Sequence, residues 1–418
     1  MPRIVRVLAV PAVGADYHED LTALRSHYVP LPARYTAKPV TAGFYAVRQL
    51  AEAVSVGLEL DDGHIAWGDC VGSVYNGRPG CDPIFRSAEG LATLQQVVAP
   101  ALQDRTLTSF RKLAAEIDML TEPAQAAQTQ PVHAAIRYGL SQAVLQAVAL
   151  ASGKTMAEIV AEEWDLPLPS VPIPIHAQSI TDLYQDVDKM VVRRVSSLPD
   201  TLPDNKPEQF DEDGRLLLQY IRWLSERIGQ LSDVDYNPTI HLNVHGRLGQ
   251  ICQNNLGHVL GQLYALEEAA KPYPLRIVSP VMMDTRQAQI ETIKTLRQYI
   301  RIRKMKVQLV ADEWVNRLDD INAFIAAGST DMIRIKTPEL GSVHNLVDAI
   351  LACKANSIGA LMGGSRAETD LSARVSVHIA LATRADVLMA MPGKDIDEGI
   401  MFTQNEIART LACIAKRA

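Results

Sequence analysis

The stretch Asp331-Met-Ile-Arg-Ile-Lys-Thr-Pro338 reads as a short buried strand that stops at a proline, with a helix opening at Ser342. Period-2 alternation puts Met332, Arg334 and Lys336 on one face and Ile333 and Ile335 on the other. Two cations on one face near a strand end are poor packing residues, because charged side chains are almost never fully buried unless paired or functional. On the octapeptide alone, an exposed edge strand with solvated cations is an equal reading. The surrounding chain decides between them.

Candidate strands lie near 173–179, 190–196, 239–246, 275–281, 305–312, 331–337, 358–364 and 386–391. Amphipathic helical patterns separate most of them, for example 213–231, 254–271, 284–301, 342–356 and 397–416. Eight strands alternating with helices match the count and size of a (β/α)8 TIM-type barrel, an α/β fold. A doubly wound open sheet is the alternative, but no G-x-G-x-x-G follows any strand. Upstream, residues 3–12 form a first strand. A hairpin runs up from Ala53 through Leu60, turns at Asp61-Asp62-Gly63 and returns along Ile65-Ala-Trp-Gly68. Helical patterns follow at 87–103, 107–120 and His133–Ala151, the last with Ile136, Leu140, Val144, Leu145 and Val148 as its apolar stripe. Thr155-Met-Ala-Glu158 is a capping box for one more helix. Residues 1–165 are therefore an α+β domain and residues 166–418 the barrel. The four-proline segment Asp165–Ile175 between them can be neither helix nor central strand.

Lys+Arg 41 against Asp+Glu 48 gives a net charge of −7, which argues against nucleic acid or an anionic membrane as the main partner. The N-terminal apolar run is too short for a signal peptide, and no stretch reaches the ~18 apolar residues of a spanning helix. Cys70, Cys81, Cys252, Cys353 and Cys413 lack C-x-x-C spacing and are odd in number, which fits free thiols in a reducing cytoplasm.

In a barrel the active site lies at the C-terminal strand ends. The polar residues there are Gln178, Ser179, Asn243, His245, Ser279, Asp312, Glu313, Arg334, Lys336, Ser365 and Arg366. A lysine in a barrel mouth is partly desolvated, which lowers its pKa and suits it to general-base or Schiff-base chemistry. Asp312 would ligate a metal, orient Lys336 or form a salt bridge. His241, Asn243 and His245 share a strand face, so His-x-Asn-x-His with Asp312 is a candidate transition-metal site; two hydrogen-bonded barrel histidines are the plainer reading. Gly363-Gly-Ser-Arg366 is a glycine loop ending in a cation, suited to a carboxylate or phosphate.

Over nearly its whole length the chain resembles the methylaspartate ammonia-lyase family of the enolase superfamily. The resemblance rests on Thr41-Ala-Gly-Phe-Tyr-Ala-Val-Arg-Gln49, Trp67-Gly-Asp-Cys70, Ala135-Ile-Arg-Tyr-Gly139, Ala177-Gln-Ser179, Asp186-Val-Asp-Lys-Met190, Val310-Ala-Asp-Glu-Trp314, Ile335-Lys-Thr-Pro338 and Asp397-Glu-Gly399. It implies an N-terminal capping domain on an enolase-like barrel, a homodimer, and a small amino-acid or carboxylate substrate. A lysine at Lys336 would abstract the proton α to a carboxylate, and Mg²⁺ held by three carboxylates would stabilise the dianion before ammonia leaves.

The chain departs from that pattern at the site itself. The family's first metal carboxylate is Asn243 here, its second is Val278, and only Asp312 remains. The family's opposite-face histidine base aligns with Asp200, a substrate-contacting glutamine becomes Arg334, and a substrate-contacting Thr-Cys pair becomes Ser365-Arg366, while Gln178 is kept. One anionic ligand is too few for tight Mg²⁺ binding. Arg334 and Arg366 appear in the same shell from which carboxylates have gone, so guanidinium groups would bind a substrate carboxylate and hold developing charge. The leading expectation is a carbon–nitrogen lyase with Lys336 as base and little or no Mg²⁺ dependence. Epimerisation using Lys336 with His245 or Asp200, and non-catalytic carboxylate binding, are the alternatives.

Overall fold

The computed structural model describes residues 2–26, 29–77, 80–122, 130–180, 182–201, 214–391, 393 and 395–417. The first part of the chain builds a four-stranded sheet from β1 (Ile4–Asp20), β2 (Arg48–Leu60), β3 (Ile65–Val71) and β4 (Tyr75–Asn76), in the order β3-β2-β1-β4. β1 runs beyond residue 12 because a register irregularity between Val13 and Tyr17 absorbs the break in alternation. The hairpin turns at Gly63, whose φ of 85° is in the left-handed region.

Helix α1 (Ala134–Ser152) lies against β2 and β3 and is buried on nearly every side, so its apolar surface is wider than one stripe. Two glycines allow that approach. A Cβ on Gly68 would fall 2.0 Å from the Gly139 carbonyl oxygen, and a Cβ on Gly139 would fall 2.4 Å from the Cys70 nitrogen. Both clashes are with backbone, which explains why glycine stands in the Trp67–Cys70 and Ala135–Gly139 motifs. Helix α2 (Met156–Glu163) begins at the expected capping box, with Thr155 and Glu158 each bonding the other's backbone N–H.

The remainder closes into an eight-stranded barrel: β5 (Ile175–His176), β6 (Ser197–Thr201), β7 (Thr239–Asn243), β8 (Leu275–Val278), β9 (Gln308–Ala311), β10 (Met332–Ile335), β11 (Gly359–Met362) and β12 (Val387–Met389). Every neighbouring pair is parallel, which is the architecture the sequence predicts. A helix follows each strand, from Gln185–Val192 after β5 to Ile396–Ala415 after β12.

One strand is misplaced in the sequence reading. Residues 190–196 are not a strand: helix α3 (Gln185–Val192) occupies their start, and β6 begins only at Ser197. A short apolar run such as Met190-Val-Val192 fits helix or strand equally. The true strand is disguised by Pro199, which follows a cis bond from Leu198, and by Asp200 at φ 66°.

The barrel interior is divided. On β8 to β12 it is apolar, with Val278, Val310, Met332, Leu361 and Val387 in one buried cluster. On β5 to β7 it is polar, with His176, Asp200 and His241 all fully buried. That asymmetry places the chemistry.

Candidate active site

Lys336 directly follows β10, which ends where Pro338 starts a 3-10 turn, Thr337–Leu340. Its side chain is buried and Nζ is held from several sides. It donates to the Asp312 carbonyl (3.0 Å) and to Asn316 Oδ1 (3.1 Å), and lies 3.3 Å from Asp312 Oδ1 and 3.1 Å from Glu339 Oε2. Glu339 is itself anchored by Ser73 Oγ at 2.5 Å, so the N-terminal domain helps fix the lysine's surroundings. The exposed-edge reading of the octapeptide is excluded, because Arg334 and Lys336 are only 4% and 6% exposed.

Arg334 points across the barrel. Around the closed ring β6 is four strands from β10, so Asp200 stands on the opposite wall. The guanidinium reaches it with N–O distances of 3.3 and 3.4 Å, and Nη2 also lies 3.3 Å from Met389 Sδ. These contacts exceed the ~2.7–2.9 Å of a tight guanidinium–carboxylate pair. Gly364 completes the cradle: a Cβ there would fall 2.6 Å from Arg334 Nε. His176 Nε2 is 3.2 Å and His241 Nε2 4.0 Å from Asp200 Oδ1, and the two rings sit 4.4 Å apart. Burial alone would raise the Asp200 pKa, but Arg334, His176 and His241 outweigh it and hold the carboxyl well below the usual carboxylate range. A carboxylate so stabilised is a weak base. Burial and the neighbouring His176 push His241 far down, so its ring is neutral.

At the position where the resemblance implies a metal, the donors are turned to each other. Asn243 Oδ1 accepts from the His245 backbone N–H (3.1 Å), which turns its amide nitrogen toward Asp312 Oδ2 at 3.2 Å. Asp312 Oδ1 faces Lys336, and Val278 belongs to the apolar cluster. The His241–Asn243–His245 face with Asp312 does not form: β7 ends at Asn243, and His245 has φ 48°, which breaks the alternation. His241 instead joins His176 and Asp200, and among the described residues these three are the only group of metal-ligating side chains in ligand geometry.

The remaining predicted residues are distributed as follows. Gln178 is buried two residues beyond His176, where Ala177 and Ser179 continue the β5 ladder onto Ser197 and Pro199. Ser365 is buried, with its hydroxyl 3.3 Å from the Gly72 carbonyl. Arg366 corrects an expectation: its Nε pairs with Asp16 of β1 at 2.8 Å, and Asp16 also pairs with Arg48. The two guanidiniums read as replacing the metal together thus face different carboxylates on different domains.

Sequence reasoning missed His176, Asn316, Glu339 and Glu368. His176 shares a strand face with Gln178, and Glu339 lies one 3-10 turn after Lys336, so both had a positional signal. Glu368 had none. It is buried beside Thr337, accepting from Tyr138 of α1 at 3.1 Å and from Thr337.

Two outcomes are expected. Arg334→Gln leaves Asp200 buried without its guanidinium and lowers stability to chemical denaturation by about 3 kcal/mol. Adding Asp200→His, which removes the buried unpaired carboxylate, recovers at least ~1 kcal/mol of that loss; strict additivity would contradict the coupling. Burial pushes the Glu368 carboxyl up from its ordinary 4.5 to about 8. Between these values the unfolded chain has released the proton and the native state keeps it, so stability falls as pH rises, at about 1.4 kcal/mol per unit, and levels off above about 8. Glu368→Gln removes that slope; an unchanged pH profile would show that Glu368 does not titrate this way.

Two family models together cover nearly all of the chain: methylaspartate ammonia-lyase N-terminus matches residues 2–165 and methylaspartate ammonia-lyase C-terminus residues 167–416. Methylaspartate ammonia-lyase 2 of Carboxydothermus hydrogenoformans is 41% identical over 416 residues, 99% of either chain. The beta-methylaspartase of Clostridium tetanomorphum, solved as a Mg complex, superposes with a TM-score of 0.90 at 37% identity and covers 100% of both chains. The Citrobacter amalonaticus methylaspartate ammonia lyase, solved with (2S,3S)-3-methylaspartic acid, gives 0.93 at 37% identity over 99% of this chain and 100% of that one. The barrel, its N-terminal domain and the full-length match agree: this chain belongs to the methylaspartate ammonia-lyase family.

Proposed function

We propose that this chain is a carbon–nitrogen lyase acting on a small amino acid of the aspartate type, with Lys336 as its base. The observation that carries the reading is the placement of Lys336: a buried amine at a barrel strand end, fixed by Asp312, Asn316 and Glu339. Such restraint supplies the orientation that proton abstraction from carbon needs. In the reaction, the amine lone pair takes the proton from the carbon α to one carboxylate. The released electron pair forms the new C=C bond, the C–N bond breaks, and ammonia leaves an unsaturated acid. Relatives that carry the lyase name, one of them solved with (2S,3S)-3-methylaspartic acid, support this substrate class.

The charge that builds on the substrate carboxylate needs a partner. Mg²⁺ held by three carboxylates does not fit these donors, because Asn243 and Asp312 bond each other and Val278 offers no oxygen. Arg334 takes that role: its long contacts with Asp200 leave it able to exchange one carboxylate for another. Epimerisation is disfavoured, since it needs a second base and Asp200 is held as a stabilised carboxylate.

The test is the ultraviolet absorbance of the conjugated acid formed from aspartate and its 3-substituted analogues, with EDTA present. Lys336→Ala is expected to lower kcat by about 10²–10⁴-fold while the protein remains folded. Wild-type turnover in that variant would overturn the assignment of the base. Activity abolished by EDTA and restored by Mg²⁺ would overturn the role given to Arg334.

A further inference from the structure

Beyond the lyase reading, and independent of it, we propose that His176, Asp200 and His241 form a binding site for a divalent transition-metal ion of the Zn²⁺ type, separate from the position where the family resemblance places Mg²⁺. One ligand atom from each of the three lies within 4.8 Å of the other two. The two histidine–aspartate distances, 3.2 and 4.0 Å, suit donors arranged around an ion that each would bind at roughly 2.0–2.2 Å. Two imidazoles and a carboxylate are a borderline-soft set that favours Zn²⁺, Co²⁺, Ni²⁺ or Fe²⁺ over Mg²⁺. Three protein ligands leave a fourth position for water or an anion.

Two further observations point to a missing ligand. His176 Nδ1 lies 3.1 Å from the Ser197 carbonyl and 2.9 Å from the Ser197 hydroxyl, which fixes the ring with Nε2 facing Asp200. A histidine whose far nitrogen bonds a backbone carbonyl is also the usual outer shell of a metal ligand. His241 is fully buried, and neither ring nitrogen has a hydrogen-bond partner among the described residues. A buried polar group left unpaired costs about 1–3 kcal/mol, and coordination at Nε2 would satisfy one of the two nitrogens. Arg334 is compatible with this arrangement. Its Nη1 approaches Oδ1 at 3.3 Å and both Nη atoms approach Oδ2 at 3.4 Å, so an ion taking Oδ1 would move the guanidinium onto Oδ2 alone.

The experiment uses full-length protein, stripped with EDTA, dialysed and titrated with Co²⁺, whose visible ligand-field bands report imidazole and carboxylate donors. The expected result is one Co²⁺ per chain, a metal-dependent rise in Tm, and no displacement by excess Mg²⁺. His176→Gln and His241→Gln should each weaken binding by about 100-fold or more, while Asp312→Asn retains it. If a histidine variant fails to fold, the wild-type titration and its Tm shift still decide. No binding by wild type, binding that survives both histidine substitutions, or binding lost only in Asp312→Asn would each overturn the site. The readout does not involve turnover, so its failure leaves the lyase reading standing, and failure of the lyase assay leaves this site standing.

Discussion

A guanidinium and a carboxylate, Arg334 from β10 and Asp200 from β6, meet across the interior of the barrel, and the polar half of that interior is arranged around them. Neither charge could be buried alone, since an isolated ion in this setting is strongly disfavoured. Each therefore constrains its surroundings: Gly364 must lack a side chain to let Arg334 lie flat, and His176 and His241 close in on Asp200. Both members stand where the chain departs from the family pattern. Neither departure is intelligible without the other.

Lys336, the proposed base, lies two residues beyond Arg334, just past the end of β10. Its supports come from both domains. Asp312 and Asn316 follow β9, while Glu339 is held by Ser73 and Glu368 by Tyr138. The N-terminal domain therefore contributes to the geometry of Lys336 through bonds behind it. The glycine contact of α1 on β3 sets how closely that helix packs on its own domain's sheet. On the proposed reading, Asn243 and Val278 leave the base in place and alter what balances the charge.

Much of this was legible in the sequence, where a local pattern carried the information. Alternation marked Arg334 and Lys336 as one face, proline spacing marked the segment before β5, and the strand–helix rhythm marked the barrel. Strand β6 was hidden because Pro199 and the left-handed Asp200 are the residues that sequence rules exclude from strands. Arg366 looked like a ligand for an incoming anion because its partner, Asp16, lies 350 residues earlier, beyond any periodicity. Glu368 and Tyr138 were silent for the same reason. The His176–Asp200–His241 grouping joins three neighbouring strands, so only their pairing could reveal it.

On the proposed reading, Lys336 removes a carbon-bound proton while Arg334, rather than Mg²⁺, holds the charge. Proton exchange measures this without depending on later steps. Incubating the protein in D₂O with aspartate and its 3-substituted analogues, in the presence of EDTA, and following the carbon-bound hydrogens by NMR should show deuterium entering the position next to a carboxylate for at least one ligand. That exchange should vanish in Lys336→Ala. No exchange with any ligand that binds, or undiminished exchange in the variant, would contradict the account.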